Sequence, residues 1–244
     1  MVYFFEVYGT LPRGGPGDDV STRKAYWMMK KLPARPKILD IGCGPGMQTM
    51  ELARLSKGEI IALDNHQPFL DKVNKDAAAL GLSPYIETLN QDMTTMSFEA
   101  ASFDIIWAEG ALYQMGFDNG LKACRPLLKP DGHIGVTELV WLKDQHSPAA
   151  QEWCKDYTEI KNVPDNLALF KNNGYEVLGH FTIPVSSWFE HYYDPMQIRV
   201  NELRKKYQGN SVAMEVINAA QAEISGFKKC SQELGYEFFI ARRK

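Results

Sequence analysis

The segment Ile38-Leu-Asp-Ile-Gly-Cys-Gly-Pro-Gly46 decides the fold of this chain. Its apolar start predicts a buried strand over 37–41, and a helical pattern follows over 47–56. Between them stand three glycines at alternate positions, Gly42, Gly44 and Gly46. Glycine lets the backbone turn sharply and approach a ligand closely. The helix start that follows offers unpaired N–H groups and a partial positive charge, which suits a carboxylate or a phosphate.

Further strands alternate with helices along the chain after this segment, and one helix is predicted before it. Helices are predicted over 21–31, 68–80, 121–128, 163–173, 195–207 and 211–234. Strands are predicted over 59–63, 85–89, 103–108, 133–139, 175–183 and 236–241. Strands separated by helices of this length favour βαβ units and a doubly wound α/β fold with a parallel sheet.

Composition excludes several classes of protein. The 244 residues are 45% hydrophobic and 23% charged, which is typical of a globular chain. The net charge is −3, whereas a nucleic-acid binder usually carries an excess of lysine and arginine on its binding surface. No apolar run approaches the length of a membrane span, and the start lacks the pattern of a signal peptide. We therefore expect a cytoplasmic protein with no nucleic-acid or membrane partner.

Metal binding and disulfides are not expected. The four cysteines are widely spaced with no C-x-x-C pair, and the five histidines do not cluster. Reduced cytosolic thiols are the simplest interpretation.

The glycine loop departs from the dinucleotide pattern. G-x-G-x-x-G would place its third glycine at position 47, where this chain has Met47. The string Asp40-x-Gly42-x-Gly44-x-Gly46 instead resembles the first motif of class I S-adenosylmethionine-dependent methyltransferases. The closest type is the small-molecule enzymes related to quinone biosynthesis. The resemblance covers about 36–142 and the tail strands. It implies a mostly parallel seven-stranded sheet with an antiparallel last strand, a Rossmann-like methyltransferase fold.

The resemblance also implies a cofactor site for S-adenosyl-L-methionine. The loop residues Asp40, Gly42, Gly44 and Gly46 would pass under its methionine part. Asp64, at the end of the second strand, would accept from the ribose hydroxyls, and Asn65 would begin the adenine edge. Asp64 could alternatively cap the helix over 68–80.

Two further motifs follow the third and fourth strands. By resemblance, Asp92 would accept from the adenine amino group, and the backbone N–H of Met93 would reach a ring nitrogen. On its own, Asp92 could be an ordinary loop aspartate. Glu109 could contact the cofactor ammonium, act as a base towards the acceptor, or simply end a strand. Tyr113 and Gln114 begin the next loop and are expected to face the acceptor.

Two segments outside the core are candidates for covering the site. The loop over 9–20 is either a surface loop or a lid with Tyr8 and Arg13 pointing inward. In related enzymes, inserts like that over 185–234 cover the acceptor pocket or build a dimer interface, so a homodimer is one expectation.

The insert also carries an aromatic cluster. Trp188 and Tyr192, with Phe189 and Tyr193, could line an acceptor site or could simply pack a cap helix. His191 is a second candidate base, although a structural role is the simpler interpretation.

These observations predict one domain over 1–244. Its core spans about 36–142, 164–184 and 235–244, and its helical cap insertions span 1–35, 143–163 and 185–234. The expected activity is methyl transfer to a small-molecule acceptor by in-line displacement. The alternatives are a catalytically silent cofactor-binding module and a nicotinamide-dependent oxidoreductase.

Overall fold

The computed structural model describes residues 2–157 and 159–244, which form a central sheet with helices on both faces. The strands run in the order β3-β2-β1-β4-β5-β8-β7, and β6 pairs with β5 at one side. Their bounds are β1 Lys37–Ile41, β2 Glu59–Asp64, β3 Ile86–Asn90, β4 Phe103–Glu109, β5 Leu128–Trp141, β6 Lys161–Asn162, β7 Tyr175–Thr182 and β8 Leu234–Arg243.

The strand directions confirm the predicted fold class. The pairs among β1 to β5 are parallel, whereas β8 runs antiparallel to both of its neighbours, β5 and β7. The seven strands of the main path match the prediction. The two-residue β6 is an addition, and it is too short to leave a periodic signal in the sequence.

Ten α-helices occur among the described residues. Their bounds are α1 Val2–Tyr8, α2 Asp19–Met28, α3 Met47–Ser56, α4 Gln67–Ala79, α5 Phe117–Cys124, α6 Pro148–Trp153, α7 Val163–Asn172, α8 Ser186–Trp188, α9 Asp194–Lys206 and α10 Ser211–Cys230. A π-helical turn over 189–193 joins α8 to α9. A hydrophobic core lies on each face of the sheet. On β1, Ile38 belongs to the core with α2 and α3, and Leu39 belongs to the core with α5 and α7.

Several predicted boundaries are wrong. The helix predicted over 121–128 is α5, which ends at Cys124, and β5 already begins at Leu128. The helix predicted over 211–234 ends at Cys230, because Leu234 opens β8. The N-terminal cap of α2 is Asp18, whose carboxylate accepts from the Ser21 N–H at 2.6 Å, so this helix begins at Asp19 and not at the predicted position 21.

The helices outside the sheet contact one another directly. Arg199 of α9 donates to the Glu6 carbonyl of α1 at 2.7 Å. The Trp153 ring N–H of α6 donates to the Glu223 carbonyl of α10 at 3.0 Å. Among the residues that the structure describes, no helix is both long and apolar enough to cross a membrane.

Candidate functional site

The loop between β1 and α3 turns tightly at its three glycines, all of which have positive φ. A Cβ at Gly42 would lie 2.6 Å from the Cβ of Ala111, and one at Gly46 would lie 2.5 Å from Cγ2 of Val73. Both distances are shorter than real Cβ contacts. The sequence therefore needs glycine here because α4 and the loop after β4 approach the backbone closely.

Asp40 lies behind the loop rather than in front of it. Its side chain is fully buried and accepts from the Thr49 hydroxyl of α3 at 2.6 Å. Burial raises the pKa of Asp40 to about 7. Asp40 and Gly46 do not line the cavity in front of the loop but shape the turn from behind, and their predicted role at a cofactor stays a prediction.

Asp64 ties the ends of β1 and β2 together. One carboxylate oxygen accepts from the Gly44 N–H at 2.9 Å, and the other accepts from the His66 N–H at 2.9 Å. The residue at the N-terminal cap of α4 is His66, so the alternative role of Asp64 as that helix's cap does not apply. The carboxylate lines the cavity, with one bonded N–H at each oxygen.

A cavity of about 420 Å³ opens at the carboxyl ends of β1, β2 and β4, and we call it the loop cavity. Parallel α/β sheets bind ligands at this edge. Predicted cofactor residues that line it are Arg13, Gly42, Gly44, Asp64, Asn65, Asp92, Met93 and Glu109. Tyr113 and Gln114, predicted to face the acceptor, line it as well.

Asp92 is oriented by its own turn. Its Oδ1 accepts from the Thr94 N–H at 2.7 Å and from the Thr94 hydroxyl at 2.6 Å. These hydrogen bonds lower the pKa of Asp92, so the carboxylate is ionised at neutral pH.

The carboxylate of Glu109, at the end of β4, accepts three hydrogen bonds from side chains. It accepts from Arg13 at 3.1 Å, from the Thr22 hydroxyl at 2.7 Å and from the Trp107 ring N–H at 2.9 Å. The side chains of Arg13 and Glu109 are 3% and 5% exposed. Because Glu109 is engaged in a buried ion pair, the geometry favours a role in holding Arg13 over a role as a free base.

Arg13 lies on the segment 9–18 that precedes α2. The backbone N–H of Gly17 donates to the Ser187 carbonyl at 3.2 Å, which attaches this segment to the helical insert. Nη1 of Arg13 is buried and has no hydrogen-bond partner among the described residues. The segment thus covers the loop cavity, with the guanidinium facing inward as the lid interpretation expected.

Two predicted site residues lie elsewhere. The Tyr8 hydroxyl donates to Glu223 at 2.9 Å, so Tyr8 points towards α10 and not into the loop cavity. His191 lies in the π-helical turn and lines neither the loop cavity nor the two pockets that adjoin it, so the structure gives its role as a base no support and that role stays a prediction. Phe5 lines the loop cavity instead, and its ring stacks on His66 with 3.8 Å between ring centroids.

Two smaller pockets adjoin the loop cavity. One of about 60 Å³, the aromatic pocket, is lined by the predicted acceptor residues Tyr113, Trp188 and Tyr192. Tyr193 also lines it, whereas Phe189 does not. Gln114 lines only the loop cavity of the three.

The second pocket, of about 330 Å³, we call the acidic pocket, because Glu138, Asp156 and Glu159 are its charged residues. Gly110 and Tyr113 line all three cavities, so the three meet there. A Cβ on Gly110 would lie 3.1 Å from the Tyr236 ring, so glycine keeps this junction open.

Sequence reasoning missed most residues of the acidic pocket. Glu138 and Tyr236 come from β5 and β8, which are neighbours in space but lie about one hundred positions apart in the chain. One signal was available in the sequence: Glu138 lies near the carboxyl end of a predicted parallel strand. The same position relative to a strand identified Glu109.

Comparisons with known proteins agree with this geometry. Residues 38–132 match a family described as a methyltransferase domain. The chain is 25% identical to sterol 24-C-methyltransferase erg6 of Aspergillus fumigatus, over 94% of this chain and 66% of that protein. It is 32% identical to demethylmenaquinone methyltransferase of Lactobacillus johnsonii, over 50% of this chain and 51% of that protein. The chain thus spans about half to two thirds of the length of these relatives.

One solved structure shares the fold over the whole of this chain and nearly the whole of its own length. It is an S-adenosylmethionine-dependent methyltransferase from Geobacter sulfurreducens in complex with S-adenosyl-L-homocysteine. The TM-score is 0.87 at 17% identity, covering 100% of this chain and 98% of that one.

Proposed function

We propose that this chain transfers a methyl group to a small-molecule acceptor. The premise is that it carries a class I S-adenosylmethionine-dependent methyltransferase domain. The observation that carries the proposal is the convergence of three cavities at Gly110 and Tyr113. One cavity has the glycine loop and Asp64, and the others have aromatic and acidic walls. Cofactor and acceptor bound on opposite sides of this junction would be in contact.

The residues of the loop cavity fit S-adenosylmethionine chemically. The unpartnered, buried Nη1 of Arg13 can donate to the carboxylate of the methionine part. Each oxygen of Asp64 accepts one N–H from the protein and can accept a further bond from a ribose hydroxyl. Asp92 and Met93 remain the predicted partners of the adenine ring.

In the proposed reaction the protein positions the two reactants and excludes water from them. S-adenosylmethionine supplies a methyl group on a positively charged sulfur, which is already a good leaving group. The glycine loop, Asp64 and Arg13 hold one reactant, and the junction at Gly110 lets the other approach in line. Residues 13–16 of the segment 9–18 line the loop cavity, and with the cofactor bound this segment would limit the access of water to the reacting groups.

Glu109 acts indirectly in this proposal. Its carboxylate orients the Arg13 guanidinium, and the Thr22 and Trp107 donors fix the carboxylate in turn. The predicted cofactor contact of this region is therefore assigned to Arg13.

Replacing Asp64 with alanine should weaken cofactor binding. The variant loses two acceptors for the ribose hydroxyls, so the dissociation constant for S-adenosylhomocysteine should rise by about 10- to 150-fold, or roughly 1.5–3 kcal/mol. Isothermal titration calorimetry measures the change. The matched control is Glu59→Ala, an exposed acid at the other end of β2. Equal affinity in the wild type and the Asp64 variant would remove Asp64 from the site.

Turnover separates an enzyme from a silent binding module. The protein is incubated with methyl-labelled S-adenosylmethionine and a pool of small metabolites, and labelled products and S-adenosylhomocysteine are followed. Acceptor-dependent release of S-adenosylhomocysteine supports the proposal. Cofactor binding with no release from any fraction of the pool favours the silent module. The homodimer and the cytoplasmic location stay predictions, and sedimentation of the purified protein tests the first.

A further inference from the structure

The acidic pocket has an unusual balance of charge. The charged side chains among its described lining residues are Glu138, Asp156 and Glu159, and none of those lining residues is a lysine or an arginine. An anionic acceptor, such as a carboxylate or a phosphate, would find no cationic partner among these lining residues and would be repelled by their ionised carboxylates. A cation would be attracted, and the attraction is strengthened where water is excluded.

The walls of the same pocket are aromatic. Tyr113, Tyr157 and Tyr236 line it, and the rings of Tyr113 and Tyr157 lie 6.2 Å apart between centroids. Tyrosine faces attract organic cations through the ring quadrupole, and they also bury apolar surface. Aromatic walls together with carboxylates suit an ammonium group on an apolar body.

Glu138 lies beside the junction of the cavities through its neighbour on β5. It follows Thr137, whose hydroxyl accepts from the Gly110 N–H at 2.8 Å. Its Oε2 is buried and has no hydrogen-bond partner among the described residues. Burial and the neighbouring Glu159 carboxylate raise the pKa of Glu138 to about 8, against the opposing effect of Lys161. The unliganded group is therefore largely protonated at neutral pH, and a bound ammonium group would stabilise its ionised form by charge and by a hydrogen bond to the free oxygen.

We propose that the acidic pocket binds an amine acceptor and that Glu138 is the catalytic residue that takes up its proton. This inference rests on the proposed methyltransferase function. An ammonium group donates a hydrogen bond to the free oxygen of Glu138 and then transfers that proton to it. The neutral amine nitrogen forms a bond to the methyl carbon as the carbon–sulfur bond breaks. The electron pair of the broken bond stays on sulfur, and the methylated nitrogen becomes an ammonium ion.

A matched set of three probes tests the class of acceptor. 2-Phenylethylamine, 2-phenylethanol and 3-phenylpropanoate share an aromatic body and differ in carrying an ammonium, a hydroxyl or a carboxylate group. Each is titrated at up to millimolar concentration into protein saturated with S-adenosylhomocysteine. The amine should bind at least about tenfold more tightly than the alcohol, because it gains ion-pair and cation–π attraction, and the carboxylate should not bind. Equal or tighter binding of the alcohol or the carboxylate, or no binding of the amine, would overturn the inference.

A charge-neutral variant tests Glu138 itself. Glu138→Gln keeps the shape of the side chain and removes the charge, so binding of 2-phenylethylamine should weaken by about tenfold, and transfer of labelled methyl to it should fall further. Binding of S-adenosylhomocysteine should be unchanged, which shows that the variant is folded. The control is Glu87→Gln, an exposed strand glutamate on β3 outside the three cavities. Unchanged amine binding and transfer in Glu138→Gln would remove Glu138 from the reaction.

The two proposals fail in different ways in these experiments. If S-adenosylhomocysteine does not bind to the wild type, the proposed function is wrong. If it binds but the amine has no advantage, only the amine assignment is wrong.

Discussion

Arg13→Ala should both weaken cofactor binding and destabilise the fold. The variant removes the one cation paired with Glu109, a carboxylate whose side chain is 5% exposed. Breaking a buried ion pair from one side costs about 3–5 kcal/mol, because the remaining charge stays buried. Loss of a charged hydrogen bond to the cofactor carboxylate should raise the dissociation constant for S-adenosylhomocysteine by about 10- to 150-fold. Urea unfolding and titration calorimetry measure the two effects separately.

A double variant distinguishes these two roles of Arg13. Arg13→Met combined with Glu109→Gln removes both charges, so much of the free energy of unfolding should return while cofactor affinity stays low. Lys122→Ala serves as the surface control, because Lys122 and its partner Asp118 are 58% and 38% exposed and their pair should contribute only about 0–1 kcal/mol. Wild-type affinity in the double variant would show that Arg13 supports the lid without touching the cofactor.

Gly46→Ala should lower the free energy of unfolding by about 2–5 kcal/mol. Part of the loss comes from the positive φ of 86° at this position. The rest comes from the new Cβ, which would lie 2.5 Å from Cγ2 of Val73. Val73 is fully buried and β-branched, so it has little freedom to move away.

Gly81→Ala is the matched control for this loss. Gly81 has a similar φ of 68° but has no atom within 4 Å of the position of a Cβ. It should therefore show only the cost of the backbone conformation, about 1–2 kcal/mol. If the collision is real, Gly46→Ala made in a Val73→Ala background should cost only the backbone part, about 1–2 kcal/mol, because the colliding methyl group is gone. Equal destabilisation by Gly46→Ala and Gly81→Ala would show that α4 tolerates the extra methyl group.

The sheet was predictable because its signals are local. The strands β1, β2 and β4 are short, mostly apolar runs that end at a glycine or a polar residue, as at Ile41 before Gly42. Helix α1 was missed, since its seven residues have no clear apolar period. Its position depends on distant partners, such as the Tyr207 hydroxyl that donates to Glu6 at 2.5 Å.

The cofactor side of the site was predictable for a related reason. Asp64 and Asp92 each follow a strand of the parallel sheet, so topology alone brings them to one edge. Tyr8 and His191 could not be placed, because the direction of a side chain outside the sheet depends on tertiary packing. The acidic pocket needs the pairing of β5 with β8, which no local pattern specifies.

Titration calorimetry with S-adenosylmethionine, S-adenosylhomocysteine and NAD tests the central claim most directly. We expect the two sulfur compounds to bind at one site per chain, with binding weakened in Asp64→Ala, and we expect no binding of NAD. Tight binding of NAD without binding of S-adenosylmethionine or S-adenosylhomocysteine would contradict the assignment of the loop cavity and the methyl-transfer function built on it.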